Sequence, residues 1–425
     1  MKTTKFNKKT SLEILPTIYY VLKWLLICTI IGILAGSASA ILLISLNWAT
    51  DWRESHLWII SLLPIGGIII GLMYYYLGKD VVKGNNQLLE ELHSPKKVIP
   101  FRMAPLILIG TVITHFFGGS AGREGTAVQM GGAIADQFSK YFRLRPRDRK
   151  ILLYAGISAG FASVFGTPLA GAVFALEVLI IGRIKYDAIL PSFLAAVLAN
   201  YFSHFWHVEH THYEIPFTPD IDLLGVIIAI FAGILFGFSG RIFSKLVHYW
   251  SNLFNKIKYP PLRPFYGGIV IALAVYLIGT TKYIGLGVPT IVASFTEQQA
   301  FYDFFIKILF TTFTIGAGFK GGEVTPLFFI GATLGSFLSS FLPLPMALLA
   351  GMGFVAVFSG ATNTPIACTL MGIELFGIEA GVFIGIACVS AYLFSGHTGI
   401  YSAQKIGTPK NKLLGKDENK YLKEL

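Results

Sequence analysis

Residues 118–132 read GGSAGREGTAVQMGG. In an otherwise apolar chain, this stretch sets the adjacent pair Arg123–Glu124 among Gly118, Gly119, Gly122, Gly125, Gly131 and Gly132. Ionisable groups at membrane depth are costly and mark transport pathways. Glycines let backbone N–H groups come close to a ligand. A Gly-rich loop feeding a helix start offers free N–H donors and the positive end of the helix dipole, which together bind anions. The stretch therefore predicts an anion site with a carboxylate that competes for it. The plainer alternative is a helix-packing segment with a chance glutamate, since glycine is common in membrane helices. That alternative leaves the charged pair without a purpose.

The rest of the composition agrees with a membrane setting. The 425 residues are 54% hydrophobic and 13% charged, with a mean hydropathy of +0.65. Soluble domains are roughly a quarter charged. One crossing needs about 20 apolar residues, so the length holds roughly ten or more crossings and some partial ones. A net charge of +11 would suggest nucleic acid in a soluble chain. Here Lys and Arg gather in loops, where they set orientation, and no nucleic-acid partner is expected. Cys28, Cys368 and Cys388 lie in apolar runs without paired spacing and read as small buried residues.

Lys2, Lys5, Lys8 and Lys9 precede a first span from about Trp24 to Trp48, and a second covers Leu57 to Leu77. Basic loops follow at Lys79 to Arg102, Lys140 to Lys150, Arg183 with Lys185, and Lys245 to Arg263, and the tail carries Lys405 to Lys423. All fit one cytoplasmic side, with both termini there. Phe202 to Asp222 is acidic and faces out. Its His204, His207, His210 and His212 have mixed spacing and read as solvated, so no metal or cofactor is expected. Leu169 to Ile180 and Ile366 to Phe376 are short apolar pieces broken by Gly or Pro. Such pieces in both halves point to broken helices meeting at mid-membrane. The expected division is a cytoplasmic segment 1–22, membrane halves 23–218 and 219–406, and a short tail 407–425, too small for a regulatory domain.

The halves resemble one another. GFASVFGTPLAGAVFALE from Gly160 parallels GFVAVFSGATNTPIACTLMGIE from Gly353, and Pro168 precedes Glu177 by the same interval as Pro365 precedes Glu374. Upstream, GREGTAVQMGG from Gly122 parallels GGEVTPLFFIG from Gly321: Gly122 matches Gly322, Thr126 matches Pro326, and Gly131 matches Gly331. Duplicated transporter halves, often inverted, place the ion site where they meet. Glu177 and Glu374 read as buried carboxylates capping neighbouring backbone.

These residues carry a family resemblance over nearly the whole chain. GREGTAVQMGG resembles the G-(K/R)-E-G-P-x-V-Q-x-G-G motif of the CLC chloride channels and transporters. AGFASVFGTPLAGAVFALE resembles that family's next segment, GGEVTP stands where it has G-x-F-x-P, and GHTGIYSAQ from Gly396 resembles its C-terminal segment with an anion-coordinating tyrosine. The resemblance implies an all-α polytopic membrane protein with two inverted repeats and re-entrant helices, assembled as a homodimer and without enzymatic activity.

Departures from the motif narrow the branch. The chain has Gly84-Asn85-Asn86-Gln87-Leu88 where chloride-type members have G-S-G-I-P, Thr126 for the proline of the Glu motif, and Val324-Thr325 in the second-half motif. This combination looks like the CLC-F fluoride/proton antiporters. Val178 falls near the inner proton-relaying glutamate of chloride exchangers, so a proton route here differs from theirs. Asn offers two N–H donors where Ser offers one O–H. Fluoride is strongly hydrated and needs close donors when its water is removed. Aromatic ring edges, with 35 Phe in the chain, are also available to an anion.

The resemblance implies gating and proton coupling by Glu124 and Glu323. It implies anion binding by Asn85, Asn86, Gly122, Arg123, Gly125, Val324, Thr325 and Tyr401. The expected function is fluoride export by fluoride/proton antiport through a homodimer in the cell membrane, with a chloride channel or chloride/proton exchanger as the alternative. A membrane-anchored enzyme lacks support, since the chain shows no metal quartet, nucleophile elbow or phosphate-binding Lys motif.

Overall fold

The structure, a computed structural model, describes residues 8–425, with side chains from Ile14 onward. Lys2 and Lys5 lie outside the described residues. Sixteen α-helices are described, and they fall into two sets of eight. The first set is α1 (Lys8–Ser55), α2 (Leu63–Leu77), α3 (Asn85–His93), α4 (Met103–Phe116), α5 (Glu124–Tyr141), α6 (Pro146–Phe165), α7 (Pro168–Glu177) and α8 (Ile189–Phe205). The second is α9 (Leu223–Phe254), α10 (Leu262–Ile278), α11 (Val288–Ala293), α12 (Asp303–Gly316), α13 (Val324–Leu338), α14 (Met346–Thr362), α15 (Pro365–Phe376) and α16 (Gly381–Phe394). Taken in order, each helix of one set has a counterpart in the other.

Local chemistry repeats with the helices. α6 ends at Gly166, in the left-handed region at φ 75°, and α14 ends at Asn363 at φ 61°. Gly and Asn are the residues that adopt this turn with least strain. Thr-Pro follows each, and Pro168 and Pro365 open the next helix, where a missing N–H costs nothing. Close packing repeats too. A Cβ on Gly131 would lie 2.3 Å from the Gly156 carbonyl oxygen, and one on Gly331 would lie 1.9 Å from that of Gly353. Glycine thus lets α5 press on α6 and α13 press on α14.

The two halves are inverted. α5 and α13 start back to back, where Gly122 N–H donates to the Gly322 carbonyl at 2.6 Å and the reverse bond measures 2.7 Å. From there they run to opposite ends. α5 leads to the basic turn that meets α1, through Lys23–Asp148 at 2.7 Å. Ser336, in the last turn of α13, takes the Gln299 N–H on its hydroxyl at 3.1 Å. The other basic loops join the α5 end. Arg149 pairs with Asp136 at 2.7 Å and with Glu91 at 3.0 Å. β1 (Ile180–Ile181) pairs in parallel with β2 (Lys405–Ile406) of the tail. Tyr75 packs on Tyr259, bringing in the α9–α10 loop.

Two spans differ from their expected form. The first is not confined to Trp24–Trp48, because α1 runs 48 residues without a break, through Pro16. Apart from Pro16, nothing in the stretch stops a helix, and a helix longer than the bilayer tilts. In the second, a 3-10 turn over Leu57–Leu62 precedes α2, which has Pro64 near its start. Among the described residues, four helical segments are long and apolar enough to cross a membrane: Ile14–Ser55, Leu57–Leu77, Tyr186–Phe205 and Leu223–Phe254. Most of the rest are apolar helices of 10–17 residues. Half-length helices that start in mid-protein place their free N–H groups there, where they need a partner.

Candidate anion and proton site

Glu124 is the first residue of α5 and is fully buried. One carboxylate oxygen accepts the Arg123 N–H at 3.1 Å and the Thr325 N–H, also at 3.1 Å. The other accepts the Thr325 hydroxyl and lies 3.8 Å from Arg123 Nε. The donors come from two helix starts, α5 and α13, which the Gly122–Gly322 pair holds together. A Cβ on Gly122 would lie 2.8 Å from the Glu124 carboxylate, so only glycine admits it. Orphan amides and positive dipole ends thus converge on one negative group. The carboxylate occupies the place that helix-end chemistry prepares for an anion.

Two cavities lie on either side of this buried group. One, beside the 206–222 segment and named the outer cavity for that segment's expected side, has about 440 Å³ and is lined by Arg123, Arg53, Glu54, Glu209 and Lys282 among others. The inner one, about 150 Å³, is lined by Asn85, Asn86, Glu323 and Tyr401, together with Gln129 and Lys320. Asn85 reaches toward α5: a Cβ on Gly125 would lie 2.9 Å from its side-chain nitrogen. Its side-chain oxygen is buried and has no hydrogen-bond partner. Glu323, the residue before α13, is half-buried, and its carboxylate has no hydrogen bond or ion pair among the described residues.

The residues named from sequence thus divide by place. Glu124, Thr325, Gly122 and Gly125 meet at the junction, and Val324 is buried beside Thr325. Asn85, Glu323 and Tyr401 face the inner cavity. Arg123 faces the outer cavity, away from Asn85 and Tyr401. Asn86 lines the inner cavity, and its side-chain oxygen accepts the Ala403 N–H at 3.0 Å, tying α3 to the segment after Tyr401. Thr126 is bonded to Thr111 at 2.6 Å. Thr111 donates to the Ile107 carbonyl, so Thr126 supplies the proton.

Sequence reasoning missed two residues of the inner cavity. Lys320 has its ammonium 4.1 Å from the centre of the Tyr74 ring and pairs with no acidic group among the described residues. Gln129 donates to the Gly125 carbonyl at 3.1 Å. The signal for Lys320 was present, since it immediately precedes Gly321-Gly322-Glu323 as the only cation of that loop. The Val178 position is buried, and its carbonyl accepts from Gln404 at 2.7 Å. The three cysteines are buried and free. Among the described residues, no group of three or more His, Cys, Asp or Glu is placed to hold a metal.

The model of the voltage-gated chloride channel family matches residues 66–396. The chain belongs to that family. This CLC chain is 53% identical to the chloride/fluoride channel protein of Pseudomonas syringae pv. tomato, over 96% of its own length and 91% of the relative's. Its fold matches the crystal structure of a CLC-type fluoride/proton antiporter with a TM-score of 0.88 and 36% identity, covering 91% of this chain and 99% of that one. A slow cyanobacterial Cl⁻/H⁺ antiporter matches at a TM-score of 0.77 and 20% identity, covering 88% and 94%, which speaks for the fold alone. The fold class read from the sequence is borne out, and the matched proteins are named for moving ions.

Proposed function

We propose that this CLC chain is a fluoride/proton antiporter that exports fluoride. The observation that carries the reading is the Glu124 carboxylate held by the Thr325 amide and hydroxyl and by the Arg123 amide. A site that holds a carboxylate in this way also suits a small, hard anion. Two like charges exclude one another there. An ionised Glu124 therefore keeps the anion out, and a protonated one gives up its place. Anion and proton are linked through that exchange. The names of the two relatives above, a chloride/fluoride channel protein and a fluoride/proton antiporter, support fluoride as the anion.

The remaining residues take roles by position. Asn85, Thr325 and Tyr401 offer donors to an anion on the inner side of Glu124. Glu323, without a partner in the inner cavity, is the second proton carrier. Lys320 balances the charge an anion brings into that cavity. The halves 23–218 and 219–406 act as the two inverted units of one pathway, and the chain works as a homodimer in the cell membrane. Both termini are cytoplasmic, because the basic loops gather at one end of the molecule.

The reading is tested in proteoliposomes with a fluoride electrode and an internal pH dye. Fluoride efflux accompanied by proton uptake is expected. Flux of chloride at the fluoride rate, with no proton movement, would replace it with a passive channel. The word "channel" in the name of the Pseudomonas relative is the observation that favours this second reading.

A further inference from the structure

The α5–α6 turn carries basic side chains that the transport pathway does not use. With Tyr19, Tyr20 and Lys23 of α1 it encloses a cavity of about 770 Å³ whose walls also include Arg143, Arg145 and Arg147. Two of these cations are already matched. Lys23 pairs with Asp148 at 2.7 Å, and Arg147 lies 4.0 Å from Asp187. Arg143 and Arg145 are exposed and have no acidic partner among the described residues. The turn that presents them is fixed. Arg143 sits at φ 47°, the Arg143 N–H donates to the Lys140 carbonyl at 3.1 Å, and the Leu144 N–H donates to that of Ser139 at 2.9 Å. The cavity is therefore an ordered basic concavity with two charges to spare.

Its surroundings point to the kind of anion. Tyr19 lines it and is 72% exposed, while Leu22, Leu25 and Leu26 of α1 form an outward apolar face beginning beside Lys23. Exposed aromatic rings next to an apolar helix face mark the membrane–water boundary. A free anion would use the cations and leave that apolar face unused. An anion with acyl chains would use both. Basic pockets between helices on the cytoplasmic side bind phospholipid headgroups in this way.

We propose that this cavity binds the phosphodiester headgroup of an anionic glycerophospholipid through Arg143 and Arg145, with its acyl chains along Leu22–Leu26. Guanidinium groups form paired hydrogen bonds with phosphate oxygens, which explains two arginines at the rim. The site needs only that the protein sits in a bilayer and is separate from the anion pathway. It stands whether the transported ion is fluoride or chloride.

The test uses the full-length protein in nanodiscs of phosphatidylcholine doped with spin-labelled phosphatidylglycerol. It compares the native chain, R143Q/R145Q, and the charge-matched control K256Q/K258Q on the α9–α10 loop. Each basic residue near anionic headgroups gives roughly a fivefold gain in association, so R143Q/R145Q is expected to lose roughly twenty-five-fold in affinity. The control should keep native affinity, and melting temperature checks that each variant is folded. Equal loss in both variants would mean diffuse surface charge and overturn the site. Unchanged binding in R143Q/R145Q would overturn it as well. Soluble glycerol phosphate should not displace the lipid at millimolar concentration. If it does so as well as the lipid competes with itself, the lipid assignment falls.

Discussion

Glu124 is fully buried, and its carboxylate is held by amides at two helix starts and by the Thr325 hydroxyl. Glu124→Gln keeps the shape and removes the charge, so proton movement should vanish, with anion flux either uncoupled or stalled. Fluoride-driven proton uptake at the native rate in that variant would remove Glu124 from the coupling step. Under the proposed function Asn85 discriminates between anions, because its amide approaches Gly125 beside the junction. Asn85→Ser should raise the chloride-to-fluoride flux ratio in paired electrode measurements; an unchanged ratio would take Asn85 out of selectivity. Lys320, seen only in the structure, should matter by charge rather than contact. Lys320→Met should slow anion uptake from the inner side about five- to tenfold at low salt, and less at high salt, where screening weakens the native lysine's pull. A salt-independent loss would make Lys320 structural. At this scale the sequence announced the carboxylates, since charge among glycines in an apolar chain is conspicuous. It did not separate Arg123 from the inner residues, because side-chain direction depends on which cavity each helix start faces.

The helices are held to one another by a reciprocal exchange that repeats Glu177 and Glu374. Glu177, at the end of α7, accepts the N–H groups of Ile366 at 3.2 Å and Ala367 at 2.9 Å, at the start of α15. Glu374, on α15, accepts those of Leu169 at 2.9 Å and Ala170 at 2.8 Å, at the start of α7. Each half therefore satisfies the orphan amides of the other. The reading of these residues as backbone caps was available from sequence. That they cap the opposite repeat was not, because the partners are about 190–205 residues apart along the chain. Glu177→Ala leaves two buried amides without acceptors and should cost about 1–3 kcal/mol. A lowered melting temperature in detergent checks this, and Glu177→Gln, which keeps one acceptor oxygen, should lose less. The broken helices were visible as Pro- and Gly-interrupted apolar pieces. The length of α1 was not, because the end of its apolar run suggests a stop, while only a helix-breaking residue would make one.

Across the whole molecule, charge is sorted by end. The α5–α6 turn, the start of α1, the α7–α8 loop and the tail are joined by Lys23–Asp148, by the Arg183 bond to the Gly407 carbonyl at 2.7 Å, and by the β1–β2 pair. The segment 206–222 lies at the other end, where Val208 and Glu209 share a cavity with Arg53 and Lys282. Basic loops are retained on the cytoplasmic side during insertion, so the tail should be inside and the 206–222 segment outside. The chain suits a cysteine-accessibility measurement, because its own three cysteines are buried and should give little background. Leu413, 91% exposed in the tail, and Glu214, exposed in the outer segment, are the positions to label. In intact cells, Glu214→Cys should react with a membrane-impermeant thiol reagent and Leu413→Cys should not. Permeabilising the membrane should make Leu413→Cys reactive while leaving Glu214→Cys unchanged. Labelling in the opposite order would invert the protein in the membrane, leave the direction of exchange to the gradients, and put the Arg143–Arg145 cavity on the outer leaflet.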